Sequence, residues 1–284
     1  MSAAIMLAIT AHIFWASGMV VSTALARRLT ALEVLKWRTL ILLLLLAPLL
    51  LSQHHALTVT AVAYTALMGL LLYAGNIMFQ QALRTGSAQT ASATAAVVPA
   101  LITVLSVVFL KGVINSLGYF LLALITFGLL LISWPAKHAK VDSSTLFALA
   151  AVLLWGIYFS FITISIKSIG PIWTTYISAL ASFIMLQLLT MRSSVQSKPA
   201  QKLTRNTKYL LFTSAVLTGG APLIYSFALK FGTAATVAPI ATSYAALTIF
   251  ISSIVFKDKV SNRKWLGIIV TVISVLIFIL TRNY

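Results

Sequence analysis

Residues 227–239 read FALKFGTAATVAP, and residues 81–93 read QALRTGSAQTASA. Ala228-Leu229 is followed by Lys230 and Gly232; Ala82-Leu83 is followed by Arg84 and Gly86, 146 positions earlier. Other pairs keep nearly the same offset. HIFWASGMVV around Trp15 resembles AVLLWGIYFS around Trp155, and VVFLKG at 107–112 resembles SIVFKD at 253–258. A period of half the chain marks an internal duplication.

The duplicated unit is a set of membrane helices. The 284 residues are 61% hydrophobic and 8% charged, with a mean hydropathy of +1.04, far too little charge for a soluble domain. The apolar runs are continuous rather than alternating, and about 20 apolar residues cross a hydrocarbon core of about 30 Å. Ten spans are expected: 3–25, 32–52, 57–82, 86–110, 115–134, 144–166, 171–191, 208–229, 233–256 and 262–281. The predicted fold is therefore an all-α polytopic membrane protein, two five-helix repeats covering residues 1–140 and 141–284. An odd number of crossings per repeat inverts the second copy, an architecture whose halves enclose one site near the midplane and rock around it. ALA at 24–26 looks like a signal-peptidase site, but MSAAIMLAIT has no basic n-region and Trp155 gives the first span a repeat partner. That span is expected to be retained.

The formal charge of +17 suggests a phosphate-binding chain, yet the basic residues lie mostly between apolar runs, where they set topology. No nucleic-acid partner is expected. Zero cysteines exclude disulfides and thiolate chemistry. Three carboxylates are present: Glu33 near Lys36 at a helix start, where a surface pair is expected, Asp142 at an expected helix N-terminus, and Asp258 between two lysines. No acid pair, His cluster or glycine-rich phosphate loop is formed, so neither enzyme, metal site nor cofactor is expected.

With these motifs in place, the chain resembles the EamA family of the drug/metabolite transporter (DMT) superfamily. WRTLILLLLLA at 37–47 looks like that family's second helix, with Arg38 at its arginine position. The resemblance covers essentially the whole chain. One departure is Gly112, where family members often carry the acid that Asp258 supplies in the second half. What the resemblance implies is a secondary transporter in the cytoplasmic (inner or plasma) membrane, commonly an exporter of amino acids or related compounds.

Mid-depth residues supply the candidate site. Trp15 and Trp155 fall near the centres of spans one and six. Tyr73 and Asn76 share a face of span three, too polar for lipid. Tyr225 follows the helix-weakening Gly219, Gly220 and Pro222, and Tyr244 follows Pro239. These six are the expected substrate-binding residues. No span carries a central acid, so His12 is the candidate coupling group. Aromatic lining suits a neutral, zwitterionic or aromatic solute; a choline-like cation imported through cation–π contacts is the alternative. A non-transporting scaffold, or an accessory subunit of a lipid-modifying complex, is a third reading, and it gives no reason for polar kinked helices in both halves. Oligomeric state is not legible. Assigning connections to alternate faces puts sixteen basic residues, among them Arg27, Arg28, Lys36, Arg38 and Arg84, opposite the termini, against Lys111, Lys167, Lys230 and Arg282 beside them. Basic connections stay cytoplasmic, so both termini are expected outside.

Overall fold

A computed structural model describes residues 2–26, 28–53, 56–85, 96–133, 143–192, 204–257 and 260–281. Gly86, Asp142 and Asp258 lie outside them. The described residues are helical and contain no strand. In chain order the helices are α1 Ala3–Ala26, α2 Ala31–Leu50, α3 Val59–Thr85, α4 Val98–Leu110, α5 Ser116–Ser133, α6 Ser143–Arg192, α7 Arg205–Ser214, α8 Gly220–Phe231, α9 Ala234–Ala241, α10 Ala245–Val255 and α11 Asn262–Thr281. A π-helical turn, Ala215–Gly219, joins α7 to α8.

Among the described residues, seven segments are long and apolar enough to span a bilayer: Ala3–Leu25, Val59–Ala82, Ser116–Ser133, Ser143–Met191, Arg205–Phe231, Ala234–Val255 and Asn262–Thr281. The expected ten differ from these for local reasons. Helix α2 carries Glu33, Lys36 and Arg38 within 20 residues, and α4 is described over 13. Spans six and seven run together as α6, divided only by Gly170 at φ 75°, ψ 166°, ahead of Pro171. That left-handed φ favours glycine, and proline suits the first turn that follows.

Helix ends correct one sequence reading and refine others. Glu33 does not stand as a surface partner of Lys36; its carboxylate accepts from the Thr30 backbone N–H and hydroxyl, each at 2.8 Å, in a capping box. Pro99 sits in the first turn of α4, where its missing N–H costs nothing. Span nine, Ala234–Val255, is interrupted locally at 242–244 between α9 and α10. Pro239 lacks one backbone donor, and the Thr242 and Ser243 hydroxyls donate to the Ala238 and Ile240 carbonyls at 2.7 and 3.0 Å.

Packing interleaves the two halves. Helix α3 lies along α6, α1 along α8 and the π-helical turn, and α5 along α11. Glycines allow the closest approaches. A Cβ on Gly267 would fall 2.6 Å from the Gly128 carbonyl oxygen, so α5 and α11 cross backbone to backbone there. Between α3 and α6, Ser178 and Ser182 donate to the Thr65 and Gly69 carbonyls at 3.3 and 3.1 Å. Repeat-related Lys111 and Lys257 end α4 and α10 with φ of 54° and 56°. Two copies of one sequence pattern thus close their fourth spans with the same left-handed turn.

Candidate functional site

Trp15 stands near the middle of α1 and is 6% exposed. Its ring centroid lies 5.6 Å from Phe159, 5.7 Å from Tyr225 and 5.8 Å from Tyr244. Phe159 meets Tyr225 edge-on at 5.3 Å and Tyr158 at 4.9 Å. Pairs in this range attract by about 0.5–1.5 kcal/mol beyond their buried area. The Tyr225 hydroxyl donates to the Phe159 carbonyl at 3.1 Å, which satisfies a phenol that is 1% exposed. Four ring-bearing pieces meet here: α1, α6, α8 and the break between α9 and α10.

Trp155 lies one turn before Phe159 on the same face of α6. Its ring packs 5.1 Å from Phe79 of α3 and fits against Gly75, where a Cβ would fall 2.7 Å from its Cδ1. Among the described residues its indole N–H is buried with no acceptor, a deficit of about 1–3 kcal/mol. Buried donors of this kind call for an explanation, and a bound polar atom is one. The pairings correspond through the repeat: Phe79 and Tyr225 are 146 positions apart, Trp15 and Trp155 are 140 apart. Each half's tryptophan rests on an aromatic ring of the other half's third span.

Of the expected site residues, Trp15, Tyr225 and Tyr244 come together, with Trp155 one turn away. Tyr73 is buried against Leu35 and Leu186, its hydroxyl bonded to that of Thr39, and it takes part in none of the cluster's ring contacts. Asn76 is half-buried one turn further along α3 and takes part in none of the ring contacts. His12 donates from Nδ1 to the Ile240 carbonyl at 2.8 Å, at the break that also uses Ser243. That bond holds α1 to the end of α9.

The rings close on one another rather than lining an open central chamber. Two cavities bounded by described residues lie elsewhere. One of about 190 Å³ is bounded by Ser2, Ile5, Phe231, Thr236 and Ile240, beside the start of α1. One of about 340 Å³ lies between α4 and α5 against Tyr119, Leu122 and Phe127. None of the expected residues lines either.

Sequence reasoning missed Phe159 and Arg38. Phe159 was within reach, since it follows Trp155 by four residues and shares its face. Arg38, counted as a connection residue, lies inside α2, about 10 Å from its start at about 1.5 Å per residue. Its side chain packs near Gly219 at the end of the π-helical turn.

A family model described as the EamA-like transporter family matches residues 2–134 and 143–280. No curated protein matches the chain. Among solved structures, the chain is similar to one crystal structure with a TM-score of 0.82 and 13% sequence identity, covering 99% of this chain and 98% of the other. At that identity the likeness is one of fold.

Proposed function

Because the chain belongs to the EamA-like transporter family and is a multi-pass membrane protein, we propose that it moves a small organic metabolite across the cytoplasmic membrane by alternating access. An amino acid or related compound, carried outward, is the substrate class this reading adopts. The single observation that carries it is the ring cluster Trp15–Phe159–Tyr225–Tyr244, drawn from both halves of the chain. Ten crossings in two inverted units, 1–140 and 141–284, would let the halves rock about that cluster. In the closed arrangement the rings fill the space a substrate would take. Rocking α1 against α8 separates Trp15 from Tyr225 and opens it. Trp15, Tyr225, Tyr244 and Trp155 then bind substrate, with Tyr73 and Asn76 on the α3 side; His12 couples opening to the α9 break.

A second reading has support of its own. Four rings around one point are what a quaternary ammonium ion needs, through cation–π attraction worth about 2 kcal/mol or more when desolvated. The partners on either reading are a small solute and the bilayer, without nucleic acid. Both termini face outward, because removing Arg38 from the connections still leaves fifteen basic residues against four.

Transport assays in proteoliposomes, with radiolabelled amino acids and choline offered separately, test the proposal. Trp15→Ala and Tyr225→Ala are expected to cut uptake or counterflow at least about tenfold while membrane expression holds, since each removes a ring that packs on the solute. Parent-level transport by both variants would end the site assignment.

A further inference from the structure

The cavity of about 190 Å³ beside the start of α1 is bounded in part by Gly232, the glycine of the repeated turn, for which the ring cluster has no use. A Cβ on Gly232 would fall 2.9 Å from the Ala4 Cβ and 3.1 Å from the Val237 Cγ2, so a side chain there would crowd the wall. The hydroxyls of Ser2 and Thr236 share that wall with Ile5, Val237 and Ile240, and none of the lining residues is charged. Complete ligand pockets hold about 300–1,000 Å³, so this space is an antechamber rather than a site in its own right.

Both of its walls lead to the ring cluster. On α1 the residues Ile5, Ala8, His12 and Trp15 recur at helical spacing on one face, with Trp15 about 15 Å beyond Ile5 at about 1.5 Å per residue. On the other wall Thr236 and Ile240 stand one turn apart on α9, and Tyr244, packed on Trp15, follows the break. Ile240 is the floor. It is 2% exposed, and its carbonyl accepts from His12 Nδ1 at 2.8 Å and from the Ser243 hydroxyl at 3.0 Å. A continuous helix would give that carbonyl to the Tyr244 N–H. The break leaves it to side chains, one of them on α1. Ala8, one turn past Ile5 on the same face, is fully buried.

Resting on the transport reading above, we infer that this cavity is the mouth of the solute path on the face that carries the start of α1, closed by Ile240 and latched by the His12–Ile240 bond. Helix α9 is the moving part. It has 8 residues and is already interrupted at its far end, so it tilts without bending a longer helix. Ile240 and Tyr244 flank the break, and a tilt that lifts Ile240 from His12 also draws Tyr244 off Trp15. Mouth and ring cluster open together. The wall carries hydroxyls and no charge, so a solute passes it without being held by an ion pair, as a passage requires. Gly232 keeps that passage clear.

The chain has no cysteine, so single cysteines report the path one position at a time. The probe is the small charged thiol reagent sulfonatoethyl methanethiosulfonate, applied to the purified full chain before reconstitution, with labelling read by mass. Thr236→Cys on the cavity wall is expected to label readily. Labelling is expected to cut its transport of the amino acids or choline offered above at least about tenfold, while the cysteine-free parent is untouched by the reagent. Ala8→Cys is expected to resist labelling in an otherwise unchanged chain. Adding His12→Ala is expected to raise its labelling rate about tenfold, the scale of one lost hydrogen bond. Ile240→Ala opens the floor by size instead, and serves if the histidine variant does not fold. A labelled Thr236→Cys protein that transports as before overturns the mouth, and an Ala8→Cys rate that neither variant moves overturns the latch. Labelling needs no transport, so the two readings fail separately. A parent that moves no solute ends the transport reading and the mouth with it, and the Ala8→Cys rates still decide the latch.

Discussion

Trp15 and Trp155 are the same residue of a duplicated unit, yet they have come to rest differently. Trp15 is almost wholly enclosed by three rings and held from α1, α6, α8 and the α9–α10 break. Trp155 is half-buried, leans on one ring and a glycine, and keeps an indole N–H with no acceptor. The shared part of the pattern, a tryptophan on the other half's third span, is what the fold needs. The difference lies in what each third span offers: Tyr225 brings a hydroxyl that finds the Phe159 carbonyl, whereas Phe79 brings none. Three positions after each tryptophan the copies diverge again, with Gly18 jammed against Thr218 and Tyr158 edge-on to Phe159. A duplicated frame therefore carries an asymmetric centre. One tryptophan is locked, and the other keeps a donor to spare.

The comparison assumes that the two copies enter the membrane from opposite sides, and this has an all-or-none test. The chain contains no native cysteine, so single cysteines at Lys111 and Lys257 can be labelled without background. With external termini, an impermeant maleimide added to whole cells is expected to label Lys111→Cys and to leave Lys257→Cys untouched until the membrane is opened. Labelling of both from one side would dissolve the inverted relation; the reverse pattern would turn the molecule over and leave the relation standing.

Next in size is the glycine under Trp155. Gly75→Ala drives a methyl group into the indole and is expected to cost about 1–3 kcal/mol in detergent unfolding, as overpacking does. Trp155→Phe, which shrinks the ring, should return most of that loss in the double variant. Its repeat counterpart Ala221 already carries a Cβ at zero exposure, so no such rescue by Trp15→Phe is expected there. A Gly75→Ala protein as stable as the parent would mean that Trp155 is not confined as described.

The smallest effect belongs to the locked side. Tyr225→Phe keeps the ring and removes one hydroxyl, leaving the Phe159 carbonyl short of a donor; a loss of about 1 kcal/mol in unfolding free energy is expected. A variant without any loss would show that ring packing alone holds the cluster and that the tyrosine has another use.

Much of this was legible in the chain because duplication writes every motif twice. Hydropathy placed the helices, and mid-depth position picked Trp15, Tyr225 and Tyr244 from a long list of aromatics. What could not be read was which helix would lie beside which. Tyr73 looks like a cavity residue on its own helix, and only the arrival of Thr39 from α2 shows its hydroxyl already engaged. Arg38 was hidden for the opposite reason: a charge near a span's end counts as a topology signal until the neighbouring π-helical turn shows where it leads. Proline positions also take their meaning from context. Pro99 and Pro239 carry the same chemistry, but one opens a helix and the other precedes an interruption.

The pairing of Trp15 with Tyr225 also sets a clock on synthesis. The two residues are 210 positions apart, and at about 5–20 residues per second the ribosome needs about ten to forty seconds to make the second after the first. Through that interval α1 is in or near the bilayer with its tryptophan short of Tyr225 and Tyr244 and with His12 unmet, since the carbonyl that holds His12 belongs to Ile240. Lipid or the insertion machinery must shelter that face, and a chain stopped after its first half leaves it bare. A nascent chain halted at that length is accordingly the species a quality-control protease or an insertion chaperone would meet first.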